Sequence, residues 1–174
     1  MRRVVVTGLG VVSSIGNNAT EVTASLRDAK SGISFSNDFA EHGFKCQVWG
    51  RPNIDTTDLV DRRAMRFLSQ GGAWNHVAMK QAIADAGLDE KDYSEQDRVG
   101  IIMGSGGPST RTLIEAAEIT TKNNSPKRIG PFAVPKAMSS TASATLATWF
   151  KIHGVNYSIS SACSTSAHCI GNAV

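Results

Sequence analysis

Short apolar runs that end near a glycine alternate along this chain with longer segments of helical period. Val4–Val6 before Gly8 and Val99–Met103 before Gly104 are such runs. This alternation is typical of α/β architecture. At 174 residues and 41% hydrophobic content, residues 1–174 are enough for one domain that buries a core. We therefore expect a single α/β domain.

The same pattern predicts individual elements. A first helix should run from about Ala19 to Ala29, with Asn18 as N-cap. A long helix should run from about Asp61 to Ala86 and close at Gly87. It includes Gly71 and Gly72, which cost roughly 1 kcal/mol each in a helix interior, so we expect them to pack closely against another backbone. The other predicted elements are strands 3–7, 99–103 and 155–160 and helices 110–121 and 139–150.

Composition excludes several classes of protein. The net charge of +3, with 19% charged residues, falls short of a dedicated nucleic-acid binder. No apolar run reaches membrane-spanning length, and the three apolar residues after the basic start are too few for a signal peptide. Cys46, Cys163 and Cys169 are odd in number and lack ligand spacing, which argues against a disulfide framework and a structural zinc. We expect a reduced, cytoplasmic protein without a metal, a nucleic-acid partner or a membrane segment.

Two glycine-rich stretches fail as phosphate-binding motifs. Gly8-Leu9-Gly10 follows a predicted strand, but Ser13 stands where a dinucleotide fingerprint needs its third glycine. We interpret this stretch as a tight turn. The stretch from Gly104 to Pro108 lacks the Gly-Lys-Ser/Thr of a phosphate loop. We expect no cofactor.

Cys163 carries the strongest chemical signal in the chain. It stands in Ser161-Ala162-Cys163-Ser164-Thr165-Ser166, directly between a predicted strand and a predicted helix. Unpaired backbone N–H groups and the helix dipole favour a thiolate at such a position. A cysteine among small residues is also often inert core, so position alone leaves both interpretations open. Cys46 and Cys169 have no such setting and are interpreted as structural.

No residue near Cys163 is an evident general base. His168 is close in sequence, but five residues along a helix turn its side chain about 140° away from Cys163. No motif connects the other histidines with the cysteine.

Arg62, Arg63 and Arg66 cluster near the start of the predicted long helix. Cations there oppose the helix dipole, so local helix stability does not explain them. A solvated helix face and a docking surface for an acidic partner both remain open.

The chain resembles the type I β-ketoacyl-[acyl carrier protein] synthases of bacterial fatty acid synthesis. The resemblance runs through Val4 to Ser13 and Gly104 to Gly107, and above all through His153 to Ala173. It implies the N-terminal half of a thiolase-like layered αβαβα fold. It also implies that Cys163 accepts an acyl chain from acyl carrier protein, with its backbone N–H in an oxyanion hole, and condenses the chain with decarboxylated malonyl-carrier.

The resemblance assigns further roles by position. Gly107 and Met138 fall where the family lines its acyl pocket, although Met138 could equally be core filler. Lys45, Arg62, Arg63, Arg66 and Lys127 fall on or near the surface that receives acyl carrier protein.

The resemblance also implies a homodimer with the strand 155–160 at or near its interface. It places two histidines, a lysine and the second oxyanion donor in a C-terminal half, so we expect the 174 residues alone to be inactive in condensation. A non-catalytic carrier-docking or assembly module and a coenzyme A-using thiolase-like enzyme remain as alternatives.

Overall fold

A computed structural model describes residues 3–174. Within this range the strands pair as two two-stranded sheets, and helices make up most of the remaining regular structure. In chain order the elements are α1 (Ala19–Arg27), β1 (Ser34–Phe35), α2 (Asn37–Glu41), β2 (Val48–Trp49), α3 (Arg62–Met65), α4 (Gln70–Asp85), α5 (Glu90–Tyr93), β3 (Ile101–Gly104), α6 (Thr110–Asn123), α7 (Ala133–Ala137), α8 (Thr141–Trp149), β4 (Asn156–Ile159) and α9 (Thr165–Ala173), with short 3₁₀ turns at Pro126–Arg128 and Ala162–Ser164.

The parallel pair β3 and β4 lies between helices. Ile101 stands opposite Asn156 in the register, and Gly104 stands opposite Ile159. The Ile101 side chain packs into a core cluster with Leu146 of α8, whereas a side chain at Gly104 would meet α9. Successive strand residues face opposite sides of a sheet, so α8 and α9 cover opposite faces. This helix–sheet–helix layering is the α/β organisation that the sequence predicts.

A second core cluster is formed by residues of α3, α4 and the segments next to them. It consists of the buried residues Val60, Ala64, Leu68, Ala73 and Val77. Leu146 and Ala73 are both 0% exposed, one in each cluster. Contacts between α4 and α8 join the two clusters into one interior.

The predicted long helix is wrong as one element. α3 ends at Met65, and Ser69 starts α4 by accepting a hydrogen bond from the Gly72 N–H at 3.3 Å. A serine that caps a backbone N–H begins a helix, so the sequence contains an internal start signal. The expected backbone packing at the two glycines is also wrong. A Cβ at Gly71 would meet nothing within 4 Å, and the atoms nearest to one at Gly72 would belong to the side chains of Leu68 and Ser69.

The predicted first strand is wrong as well. Residues 3–7 pair with no strand within the described part of the chain, and Val4–Val6 are exposed. The next residues instead run along α4. The Leu9 N–H donates to Asp85 Oδ2 at 2.8 Å, and the Val11 N–H donates to Gln81 Oε1 at 3.0 Å. Backbone donors that bond to helix side chains build no sheet ladder.

Gly8 and Gly10 lie on this same contact rather than in the expected tight turn. A Cβ at Gly8 would overlap the Ala82 carbonyl oxygen, and one at Gly10 would overlap that of Ala78. Close backbone approach therefore accounts for both glycines.

The other predicted elements are confirmed to within a few residues. Asn18 caps α1 through its side chain, as expected. The strand predicted at 155–160 is β4, although its exposure does not alternate along the strand as the sequence pattern indicated. The antiparallel pair β1–β2 and the short helices α2, α5 and α7 were not predicted. No helix among residues 3–174 is long and apolar enough to cross a bilayer.

Candidate active site

Cys163 lies where the chain leaves the sheet. β4 ends at Ile159, a 3₁₀ turn follows at Ala162–Ser164, and α9 begins at Thr165. We call residues 161–165 the Cys163 turn. The Cys163 side chain is exposed. Its backbone N–H lies in the first turn after the strand, where no preceding intrahelical carbonyl is available to it. The predicted strand–turn–helix setting of this cysteine is therefore confirmed.

The backbone of the Cys163 turn is strained at one residue. Ala162 has a φ of 51°, in the left-handed region that a residue with a Cβ rarely adopts. Three hydrogen bonds hold this conformation. The Ser164 N–H donates to the Ser161 carbonyl at 3.1 Å, the Ser161 N–H donates to Thr165 Oγ1 at 2.9 Å, and Thr165 Oγ1 donates to the Ala162 carbonyl at 2.7 Å. Such strain persists only where surrounding contacts enforce it.

The glycine stretch after β3 lies against the Cys163 turn. A Cβ at Gly106 would stand 3.0 Å from the Ala162 carbonyl oxygen, and one at Gly104 would overlap the Thr165 side chain. Small residues at these positions allow the two segments to approach. The stretch that lacks a phosphate-loop signature thus packs beside the cysteine.

The three cysteines differ in exposure. Cys169 on α9 is 9% exposed, which fits its structural interpretation. Cys46 is exposed, and its Sγ lies 3.9 Å from the Val48 carbonyl oxygen. This exposure shows that Cys46 is not a core residue of the described chain, and its interpretation as a structural rather than a reactive cysteine stays a prediction.

His168 on α9 lies beside Ser161 of the Cys163 turn. Its Nδ1 lies 2.7 Å from Ser161 Oγ. Within residues 3–174, no hydrogen bond joins the Cys163 sulfur to a histidine, and no group of three or more His, Cys, Asp or Glu side chains is placed to hold a metal ion.

The match to a family model shows the family to which this chain belongs. The model described as "Beta-ketoacyl synthase, N-terminal domain" matches residues 1–174. The chain belongs to the β-ketoacyl synthase family. It is 55% identical over its whole length to the 3-oxoacyl-[acyl-carrier-protein] synthase 1 of Escherichia coli K12, and 32% identical over 173 residues to the synthase 2 of Coxiella burnetii. The match covers 43% and 41% of these relatives, so this β-ketoacyl synthase chain spans less than half of their length.

Solved structures show the same fold. A β-ketoacyl synthase from Burkholderia phymatum superposes with a TM-score of 0.84 at 22% identity, over 99% of this chain and 43% of that one. A type II polyketide ketosynthase, solved in complex with its acyl-carrier protein, gives 0.69 at 18% identity, over 99% of this chain and 46% of that one. The chain therefore has the thiolase-like fold of these ketosynthases and corresponds to its N-terminal half.

Gly107 and Met138 line the same cavity in this β-ketoacyl synthase chain. The cavity has a volume of about 790 Å³ and lies between the start of α4, the glycine stretch after β3, and the segment before α8. Met138 is 52% exposed, so its side chain does not fill the core formed by residues 3–174. Met138 also borders a second cavity of about 770 Å³ between α3 and α8, which Arg63 lines as well.

The three arginines occupy a single helical turn. Asp61 caps α3 by accepting from the Arg63 N–H at 2.7 Å, and its carboxylate also lies 3.4 Å from Arg63 Nε. The Arg63 backbone bond is the main reason why the pKa of Asp61 is below its ordinary value. Arg62, Arg63 and Arg66 are all exposed. We call these three exposed side chains on and directly after α3 the arginine surface.

Lys45 and Lys127 are exposed on separate elements. Lys45 precedes β2, and Lys127 lies in the 3₁₀ turn that contacts α6. Phe67 stacks edge to face on Phe132 at 5.0 Å, which joins the segment after the arginine surface to the segment after Lys127. Arg63 and Met138 both line the second cavity, and Lys45 is not among its lining residues.

Sequence reasoning missed Thr165. A threonine at the first helical position after a strand is a local signal for a side chain that bonds the backbone of the preceding turn. That signal was available two residues beyond Cys163.

Proposed function

We propose that the protein containing this chain is a condensing acyltransferase of fatty acid synthesis and that Cys163 accepts the acyl chain. One observation carries the proposal: an exposed cysteine stands at a strained strand-to-helix turn in a chain of the β-ketoacyl synthase family. The names of the Escherichia coli and Coxiella burnetii relatives agree with this activity.

The proposed chemistry has two stages. The Cys163 thiolate attacks the thioester carbonyl of an acyl-carrier, the carbon–sulfur bond to the carrier breaks, and the carrier leaves as its thiolate as the acyl-cysteine forms. Malonyl-carrier then loses CO₂, and its carbanion attacks the acyl-cysteine. The Cys163 thiolate leaves, and a β-ketoacyl chain two carbons longer remains on the carrier.

The Cys163 N–H would stabilise the oxyanion in both stages. Donors that are already oriented toward developing negative charge are among the largest contributions to acyl transfer. The cavity lined by Gly107 and Met138 would hold the acyl chain, since its volume of about 790 Å³ lies in the range of small-molecule sites. We place the groups that assist decarboxylation outside residues 1–174, and residues 1–174 alone would then not condense.

Mass spectrometry of the full-length protein tests the assignment. Incubation with acyl-carrier should add one acyl group to Cys163, and malonyl-carrier should then release it as β-ketoacyl product. Cys163→Ser should abolish the adduct, whereas Cys46→Ser should keep it although Cys46 is also exposed. Acylation from acyl-coenzyme A but not from acyl-carrier would favour the thiolase-like alternative, and no adduct with either donor would favour a docking module.

We propose that the arginine surface receives the acidic carrier protein. Exposed cations gain from an acidic partner and are screened by salt. Lys45 and Lys127 would extend this surface. The polyketide ketosynthase was solved with its own acyl-carrier protein, which supports a carrier partner for this family.

Charge reversal tests this surface. The double variant Arg63→Glu with Arg66→Glu should weaken carrier binding by at least about tenfold at low salt, with little effect on stability because exposed ion pairs contribute little. Arg27→Glu with Lys30→Glu makes the same change of net charge near the end of α1 and should bind normally. Equal weakening by both double variants would attribute the effect to net charge and contradict the surface.

We further propose that the protein is a cytoplasmic homodimer with β4 at or near the subunit interface. Within residues 3–174, β4 pairs with β3 along one edge and with no strand along the other.

A further inference from the structure

The buried side chain of Thr165 stabilises the Cys163 turn through hydrogen bonds to its backbone. It is 4% exposed, and its hydroxyl both accepts from the Ser161 N–H and donates to the Ala162 carbonyl. One side-chain oxygen therefore fixes the backbone on both sides of the strained residue Ala162.

Packing locks the Thr165 side chain in this orientation. A Cβ at Gly104 would overlap the Thr165 methyl group and would stand 3.0 Å from the Cys169 sulfur. The methyl group thus occupies the space that the glycine at the end of β3 leaves open. A β-branched side chain held in this way has one accessible rotamer, so its hydroxyl stays directed at the turn.

The bond to Ala162 has a consequence for Cys163. The Ala162 carbonyl and the Cys163 N–H belong to one planar peptide unit, in which the two groups point in opposite directions. A donor that fixes the carbonyl therefore fixes the direction of the N–H on the other side. Donation to the carbonyl also polarises the peptide and strengthens its N–H as a donor.

We propose that Thr165 is a positioning residue that orients the Cys163 N–H as an oxyanion donor. The inference rests on the proposed function, since it concerns the acyl-transfer step at Cys163. Thr165 acts on the peptide unit between Ala162 and Cys163, not on the Cys163 sulfur. Reactions of Cys163 that build no oxyanion should therefore depend on Thr165 much less than acyl transfer does.

The test compares two reactions of Cys163 in the full-length protein. Acyl transfer from acyl-carrier passes through a tetrahedral oxyanion, whereas alkylation by iodoacetamide displaces iodide directly and builds none. Thr165→Val removes the hydroxyl and keeps the β-branched shape. It should slow acyl transfer by about tenfold, the loss expected for one hydrogen bond, and change the alkylation rate by less than about threefold.

Two further variants complete the experiment. Thr165→Ser retains the hydroxyl and should restore most of the acyl-transfer rate. Thr120→Val removes a similar bond, from Thr120 Oγ1 to the Ala116 carbonyl at 2.8 Å, on α6, and should leave both rates unchanged.

The outcomes separate this inference from the proposed function. Unchanged acyl transfer in Thr165→Val would overturn the inference, and so would an equal loss of acyl transfer and alkylation, which would indicate a merely structural role. If the parent protein forms no acyl adduct on Cys163, the proposed function is contradicted. The inference is then contradicted too, because it depends on that function.

Discussion

His76 lies inside the protein on α4, at 2% exposure. Its ring centroid is 5.2 Å from that of Phe150 and 5.9 Å from that of Trp149. Burial, and to a lesser degree the charge of Lys80, lower the pKa of His76 below its ordinary value. The folded state therefore keeps this imidazole neutral under conditions in which the unfolded chain would protonate it.

The lowered pKa of His76 predicts a loss of stability in mild acid. As the pH falls below the ordinary histidine pKa of about 6.5, the unfolded state binds a proton that the folded state does not, so the free energy of unfolding decreases. Chemical denaturation at about pH 7.5 and about pH 5.5 measures the loss, since these values bracket the ordinary pKa. His76→Phe keeps an aromatic ring beside Phe150 and should lose less stability over this interval. An equal loss in parent and variant would contradict the assignment.

The three cysteines show which residue properties sequence alone can predict. The setting of Cys163 follows from a local pattern, in which a strand is followed at once by small residues and a helix. The exposure of Cys46 depends on which distant segments cover β2, and no local pattern around it carries that information. Thr165 lies between these cases, because its capping signal is local whereas its fit against Gly104 is not.

At the scale of elements, α4 organises the N-terminal segment. Leu9 and Val11 donate backbone hydrogen bonds to Asp85 and Gln81 of this helix. Gly10 lies directly over the α4 backbone. The glycines of this stretch were predicted to mark a turn, but they mark a contact between two backbones.

A matched pair of glycine substitutions tests the role of this contact. Gly10→Ala places a Cβ onto the Ala78 carbonyl oxygen and should destabilise the protein by about 2 kcal/mol or more, as overpacking against a rigid backbone does. Gly71→Ala, in the first turn of α4, meets nothing within 4 Å and should be neutral or stabilising by up to about 1 kcal/mol. Thermal or chemical unfolding measures both. Comparable effects of the two substitutions would show that the contact with α4 is unimportant.

Elements that carry their own local signals were predicted well, and those that depend on distant partners were not. Asn18 identifies the start of α1 because its cap is local. The break before α4 also had a local signal in Ser69, although a single helical period across 61–86 hid it. A strand at residues 3–7 would need a neighbouring strand, and β-branched residues alone do not supply one.

On the scale of the whole molecule, much apolar surface is open within the described residues. Val6 is 88% exposed, Ile170 is 69% exposed, and Val155 directly before β4 is 67% exposed. Exposed apolar side chains on this scale indicate surfaces that other protein segments cover. The candidate site is close to one of them along the chain, since the exposed Cys163 directly precedes α9, which carries Ile170.

Within residues 3–174, β4 has no strand partner along one edge, and this edge predicts how two copies would meet. Val155 and Tyr157 are 67% and 39% exposed, two residues apart, and therefore project on the same side of the strand. An unpaired strand edge with apolar side chains is a template for pairing with another strand, and two-fold symmetry would bring β4 of one copy beside β4 of the other.

The full-length protein should therefore sediment as a dimer at micromolar concentration. Val155→Lys with Tyr157→Lys would bring like charges together across that symmetry axis and should shift the protein toward monomer, whereas Leu26→Lys, at an exposed position on α1, should leave it dimeric. Circular dichroism would establish that the double variant is folded. A monomeric parent protein, or a folded double variant that still sediments as a dimer, would place the interface elsewhere.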